Sequence, residues 1–185
     1  MFLLGNPARD GMISGMEEVV VQCPDDVIMH RAFASALLQH RDPAASARGK
    51  FIEVQLKLEE PGLPDDQRRK LASRQRKLLK DHGRAWLGEL AGWLLDRPGY
   101  RFEMKRGWLA TIEAPELSPD FVAALARAPQ ARLLERLVFG AAGPAEVLQE
   151  LLGSNAGARL RFIQIGDVVF RGESAEQVRR LLQAA

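Results

Sequence analysis

Three side chains near the start of the chain could converge on one atom. Cys23, Asp26 and His30 offer a thiolate, a carboxylate and an imidazole, and Asp26 and His30 stand one helical turn apart. Zinc accepts all three ligand types, but a structural site takes four, and this trio lacks a fourth. The competing expectation is a helix cap at Asp26, a surface histidine and a semi-buried thiol. His30, His40 and His82 fall on different predicted segments with no Ser or Cys motif beside them. Phosphate-cradling glycine loops, the G-x-S-x-G elbow and H-E-x-x-H are all missing. His82 lies in the run His82-Gly83-Arg84-Ala85-Trp86, read as a helix junction where an imidazole bonds the free carbonyls of a helix end. With Cys23 the single cysteine, no intramolecular disulfide or four-cysteine cage can form. The expectation is a protein that is not an enzyme, with no catalytic residue, metal or cofactor. An enzyme with a dispersed site ranks third.

A second chemistry is electrostatic. Between Asp65 and Arg84 stand eight Lys/Arg against three Asp. Placing 100° per residue sets Arg69, Arg76, Lys77 and Lys80 opposite Leu71, Leu78 and Leu79. Such a face could track phosphates, so nucleic-acid binding through this fourth helix is the alternative function. It has no interleaved aromatics for base stacking. The whole chain carries only +2, too little to demand a polyanion. A solvated face, or one meeting acidic protein, is the plainer account.

The elements that must position these groups follow from 185 residues that are 46% hydrophobic and 27% charged, ordinary for one globular domain or two halves. Met1-Phe2-Leu3-Leu4 gives way at once to Gly5, Asn6 and Pro7, unlike a secretory signal. No run approaches the ~20 apolar residues that span a bilayer. A cytoplasmic protein with no membrane association is expected. Up to about Asp96 the apolar spacing is helical. The predicted helices are Asp10 to Gln22, Asp26 to Gln39, one opened by Asp42-Pro43, Pro64 to about His82, and Arg84 to Leu95. Asp42 as N-cap with Pro43 at the first position suits a helix start. Met12, Met16, Val19 and Val20 form the apolar face of the first.

After Arg97-Pro98-Gly99 the period changes. Tyr100, Phe102 and Met104 alternate as a strand would. Then Leu109–Ala114 aligns with Leu134–Phe139 and with Leu160–Ile165, at offsets of 25 and 26 residues. Each piece precedes a helix signal: Ser118-Pro119 before Phe121 and Leu125, Gly143-Pro144 before Val147 and Leu151, Ser174 before Val178 and Leu182. Ser174 with Gln177 fits a capping box. A period of 20–29 residues joining L-x-x-L-x-L to a helix resembles leucine-rich repeats, whose units bury their apolar faces only by stacking. A differently connected small α/β layer stays open beside that reading. The third unit carries extra residues around Val168-Val169-Phe170, an insertion and a second candidate interface.

The helical half in turn looks like the bacterial repeat-companion domain, a module commonly ahead of leucine-rich repeats. The likeness rests on Pro24-Asp25-Asp26, Asp42-Pro43, Arg48-Gly49-Lys50-Phe51-Ile52-Glu53-Val54-Gln55, Asp65-Asp66-Gln67-Arg68-Arg69, His82-Gly83-Arg84-Ala85-Trp86-Leu87-Gly88 and Arg106-Gly107-Trp108-Leu109. It covers about residues 10 to 115. Phe33-Ala34-Ser35-Ala36-Leu37 replaces the family's Tyr-Ala-Asp-Trp-Leu run, and Lys50 its usual Glu, so no role of those residues carries over. The resemblance implies a binding or scaffolding module and transfers no activity.

The fold class expected is α/β, mostly helical: a helical module over residues 1–97, packed on a short three-unit strand–helix stack over residues 98–185. If Leu137, Phe139, Ile163 and Ile165 point inward, strand alternation turns Thr111, Glu113, Arg136, Val138, Phe162 and Gln164 outward. These six are the candidate partner-binding residues, with Phe162 as aromatic anchor. The competing arrangements cover that face with the helical half or shift the register by one. The function expected is protein–protein interaction, as an adaptor or regulatory subunit, with the partner's identity and the oligomeric state left open.

Overall fold

The computed structural model describes residues 7–174, 176–177 and 179–180. The start of the chain, read above for a signal, and Val178 and Leu182 lie outside the described residues. The chain divides into two compact units between Trp86 and Leu87, ahead of the boundary expected at residue 97.

The first unit is helical: α1 (Pro7–Gln22), α2 (Val27–Leu38), α3 (Pro43–Leu58) and α4 (Asp65–Leu87). Two starts follow from capping. Asp26 accepts hydrogen bonds from the amides of Ile28 (2.8 Å) and Met29 (3.3 Å), and Asp42 from those of Ala44 (3.0 Å) and Ala45 (3.3 Å). Each bond satisfies an amide that has no partner within its helix. α2 and α3 meet closely because Gly49 has no side chain. A Cβ there would lie 2.7 Å from the Ala34 carbonyl oxygen and 3.0 Å from the Leu38 nitrogen. Phe33, Phe51 and Ile52 fill the space between them, fully buried. Trp86 tilts against Phe51, centroids 5.0 Å apart, and its indole nitrogen donates to the Ala44 carbonyl (2.8 Å).

Two expectations are corrected here. Among the described side chains of α1 only Val20 is buried, while Met12 and Val19 are exposed. The break expected at His82 is absent, and α4 runs unbroken through Gly83 to Leu87. The interruption falls instead at Gly88, whose φ of 54° is a left-handed value that favours glycine. Arg84 to Leu95 is therefore the end of α4, a 3-10 turn (Gly88–Leu90) and the one-turn helix α5 (Ala91–Leu94).

The second unit contains those last two elements, and its sheet explains why they belong to it. Trp93 packs against Tyr100 (5.8 Å) and Phe121 (5.5 Å), side chains of the strand–helix region. The five strands are β1 (Arg101–Lys105), β2 (Trp108–Glu116), β3 (Arg136–Ala141), β4 (Phe162–Ile165) and β5 (Val168–Arg171), in spatial order of sequence. β2, β3 and β4 run parallel, and antiparallel hairpins close both edges. Helices α6 (Pro119–Arg127) and α7 (Ala145–Gly153) connect the parallel strands. Ser118 caps α6 through the Phe121 amide (3.2 Å). Phe121, Leu125, Val147 and Leu151 are buried, as the helix signals required.

The β1–β2 hairpin turns on Arg106 and Gly107, both at positive φ (51° and 81°), a two-residue turn that matches strand twist. Residues Val168–Arg171, expected as an insertion, are the edge strand β5, folded back on β4 through Gly166 (φ 57°) and Asp167. Gly140 lets β3 approach β2: a Cβ there would stand 2.7 Å from the Pro115 carbonyl oxygen. Gly143, in the turn after β3, rests on the Leu117 carbonyl in the turn after β2. Beyond β5, the Gln177 amide donates to the Ser174 hydroxyl (3.3 Å), and the Glu173 amide to the Gln177 side chain (2.8 Å), close to the capping box expected.

Candidate functional site

Strand alternation sorts the sheet into two faces. The parallel register pairs Ile112 with Leu137 and Leu137 with Ile163, and Ala114 with Phe139 and Phe139 with Ile165. All of these are buried except the half-buried Ile165. The other face carries two rows across all five strands. One is Glu103–Thr111–Arg136–Phe162–Arg171, and the second is Arg101–Glu113–Val138–Gln164–Val169. The six residues singled out from the sequence therefore lie side by side on one face, each half-buried.

Phe162 organises this face. The Arg136 guanidinium lies 3.8 Å from its ring centroid and that of Arg171 5.5 Å, one from each neighbouring strand. Each such contact contributes about 0.5–1 kcal/mol at an exposed site. On the β1 side, Arg101 pairs with Glu113 (3.7 Å), and at the base of β1 Lys105 reaches Glu135 (4.0 Å). The Gln164 amide donates to the Gly166 carbonyl (3.0 Å), tying the β4–β5 turn to its strand. Val169 is about half exposed.

The sequence reading missed the flanking contributors Arg101, Glu103 and Arg171, and named Val169 only as part of a separate candidate interface. Their signals were present: Arg106-Gly107 and Gly166-Asp167 each sit between two short alternating runs, the mark of a hairpin.

The other candidates are arranged differently. His30 is buried, not a surface residue, with its Nε2 2.8 Å from the Pro24 carbonyl oxygen. Cys23 is exposed rather than semi-buried, and Asp26 is occupied as the α2 cap. Among the described residues no group of three or more His, Cys, Asp or Glu side chains is placed to hold a metal. His40 Nδ1 accepts from the Asp42 amide (3.2 Å). His82 does not bond helix-end carbonyls from a junction; it lies inside α4 and stacks on Trp86 one turn on, centroids 5.9 Å apart.

The basic residues Arg69, Arg76, Lys77 and Lys80 are all exposed on α4, with Arg69 turned back to the Asp65 carbonyl (3.4 Å). A cleft of about 220 Å³ beside α2 and α3 is lined by Arg31, Ser35, Glu53, Leu56, Lys57 and Glu60. Arg31 and Glu60 pair along it (3.3 Å).

Burial lowers the Arg48 pKa, opposed by the charge and hydrogen bond of Glu17. Burial raises the Tyr100 pKa; Arg97 opposes the rise and Glu116 adds to it.

Among the described residues no helix is long and apolar enough to cross a membrane. The fold defines a mixed α/β protein with a five-stranded mixed sheet. No protein-family model, curated protein or solved structure matches the chain.

Proposed function

We propose that this chain is a non-enzymatic protein–protein interaction module, an adaptor or regulatory subunit of the bacterial cytoplasm, that holds its partner on the outward face of the sheet. Thr111, Glu113, Arg136, Val138, Phe162 and Gln164 form the binding surface in this reading, and β5 extends it. The observation that carries it is Phe162, an aromatic ring presented on an outward sheet face between two arginines. Aromatic and Arg side chains are the types enriched at binding hot spots. In the same reading, β2, β3 and β4 with their helices are three stacked leucine-rich-repeat-like units, and the helices before them a repeat-companion module. The 25- and 26-residue spacing and the in-register parallel pairing support the stack.

The test is affinity capture from the native cell followed by mass spectrometry, with wild type beside Phe162→Ala and Arg136→Glu. A protein recovered with wild type and lost with both variants supports the reading. Equal recovery with all three, while circular dichroism shows the fold intact, rejects it.

A second reading, nucleic-acid binding along α4, draws on the exposure of Arg69, Arg76, Lys77 and Lys80. Salt-dependent binding of a mixed DNA and RNA pool, abolished by Arg76→Glu with Lys80→Glu, would favour it.

A further inference from the structure

We infer that the β3–β5 part of the outward face recognises an acidic protein segment, one whose carboxylates alternate with apolar side chains. The inference rests on the proposed function and adds the partner's chemistry. Its first ground is charge. Arg136 and Arg171 flank Phe162, and among the described residues neither guanidinium is paired with a carboxylate. On the β1–β2 part of the same face, by contrast, Arg101 is already matched by Glu113.

The second ground is geometry. A guanidinium over an aromatic ring spends its π-face on the contact and keeps its N–H fork in the guanidinium plane, free for a planar, bidentate acceptor such as a carboxylate. At 3.8 Å the ring also restrains the Arg136 side chain, so less rotamer entropy is lost there on binding. Adjacent strands lie ~4.8 Å apart, so the backbones of β3 and β5, one strand removed from each other, are roughly 10 Å apart. In an extended segment that alternates carboxylates with apolar residues, the carboxylates all point to one side about 7 Å apart, a spacing that the long arginine side chains reaching in over Phe162 can meet. Val138 and Val169, on the neighbouring row, offer the apolar floor. A single-stranded nucleic acid is the less fitting polyanion. Base stacking needs an open ring face, and Arg136 already lies 3.8 Å from the Phe162 centroid.

Fluorescence anisotropy on the full chain tests the inference with three labelled probes: a peptide alternating Glu and Leu, the same peptide with Gln for Glu, and a uridine oligomer. The Glu peptide is expected to bind at least about tenfold tighter than the Gln peptide and, unlike the Gln peptide, to lose affinity with added salt. Arg136→Glu with Arg171→Glu should weaken the Glu peptide by about tenfold or more, and the double Lys variant by less, because charge remains but the fork is lost. Equal binding of the Glu and Gln peptides by wild type overturns the inference, a result that needs no variant to fold. So does unchanged affinity in the charge-reversed variant, or a uridine oligomer that displaces the Glu peptide. If the Glu peptide fails while Phe162→Ala still releases a captured protein, the acidic chemistry is wrong and the face remains the binding surface. If both fail, both readings fall.

Discussion

Gly140→Ala tests whether the parallel strands come as close as the outward rows require. A Cβ at this position would stand 2.7 Å from the Pro115 carbonyl oxygen, a main-chain atom that no rotamer change can move aside. Ordinary contact begins near 3.4 Å, so β2 and β3 must separate by about 0.7 Å or tilt. Overpacking of this kind costs about 1–3 kcal/mol. The loss of glycine's freedom in the unfolded chain returns about 0.4–1 kcal/mol. The net expectation is a destabilisation of about 1–2 kcal/mol. For a chain of this length that lowers the unfolding midpoint by roughly 2–8 °C.

Thermal unfolding followed by circular dichroism measures it, with Gly15→Ala as the opposing control. Gly15 lies inside α1 with nothing near its missing Cβ, so alanine there should stabilise by up to about 1 kcal/mol. If Gly140→Ala proves as stable as wild type while the control behaves as expected, the close β2–β3 approach is wrong. The rows built on it would then lose their footing.

Asp42→Ala should cost about 1 kcal/mol by freeing the Ala44 and Ala45 amides at the start of α3, with Asn restoring most of it in chemical denaturation. Glu17→Ala should cost about 1–3 kcal/mol in the same assay. It strips one partner (3.5 Å) from the largely buried Arg48 guanidinium, and Gln, which keeps an acceptor, should cost less. Tyr100, the single tyrosine, should ionise above its ordinary range in ultraviolet difference titration, because burial disfavours the phenolate. The folded state then holds that proton more tightly than the unfolded chain. Stability from this group is full below about pH 10 and falls as pH rises through the folded pKa. A Tyr100→Phe variant should lack that loss.

Much of the second unit was legible because two local signals agreed. The spacing from Leu109 through Leu134 to Leu160 marked three strand-like pieces, and the residues it aligned are those the parallel register pairs. Capping chemistry was equally readable: Asp26, Asp42 and Ser118 each precede a helix and bond its first amides. What stayed hidden depends on tertiary context. Gly83 suggested a break, but a glycine within a helix costs only about 1 kcal/mol, which packing readily offsets. The true interruption needed a positive φ, which spacing does not reveal. His30 was read as a surface residue because an imidazole is polar, yet α2 turns it inward onto the Pro24 carbonyl. β5 was read as an insertion because an antiparallel return breaks a parallel repeat. As a result Arg171, the second arginine on Phe162, went unseen.

The most direct measurement of the central claim is in-cell photo-crosslinking from the sheet face. A photoreactive amino acid at Val138, on the outward row, is compared with one at Glu150, exposed on α7. The account predicts a discrete protein adduct from Val138, diminished by Phe162→Ala, and none from Glu150. Adducts of equal yield from both positions, or from neither while a reporter at Lys77 on α4 captures nucleic acid, would contradict it.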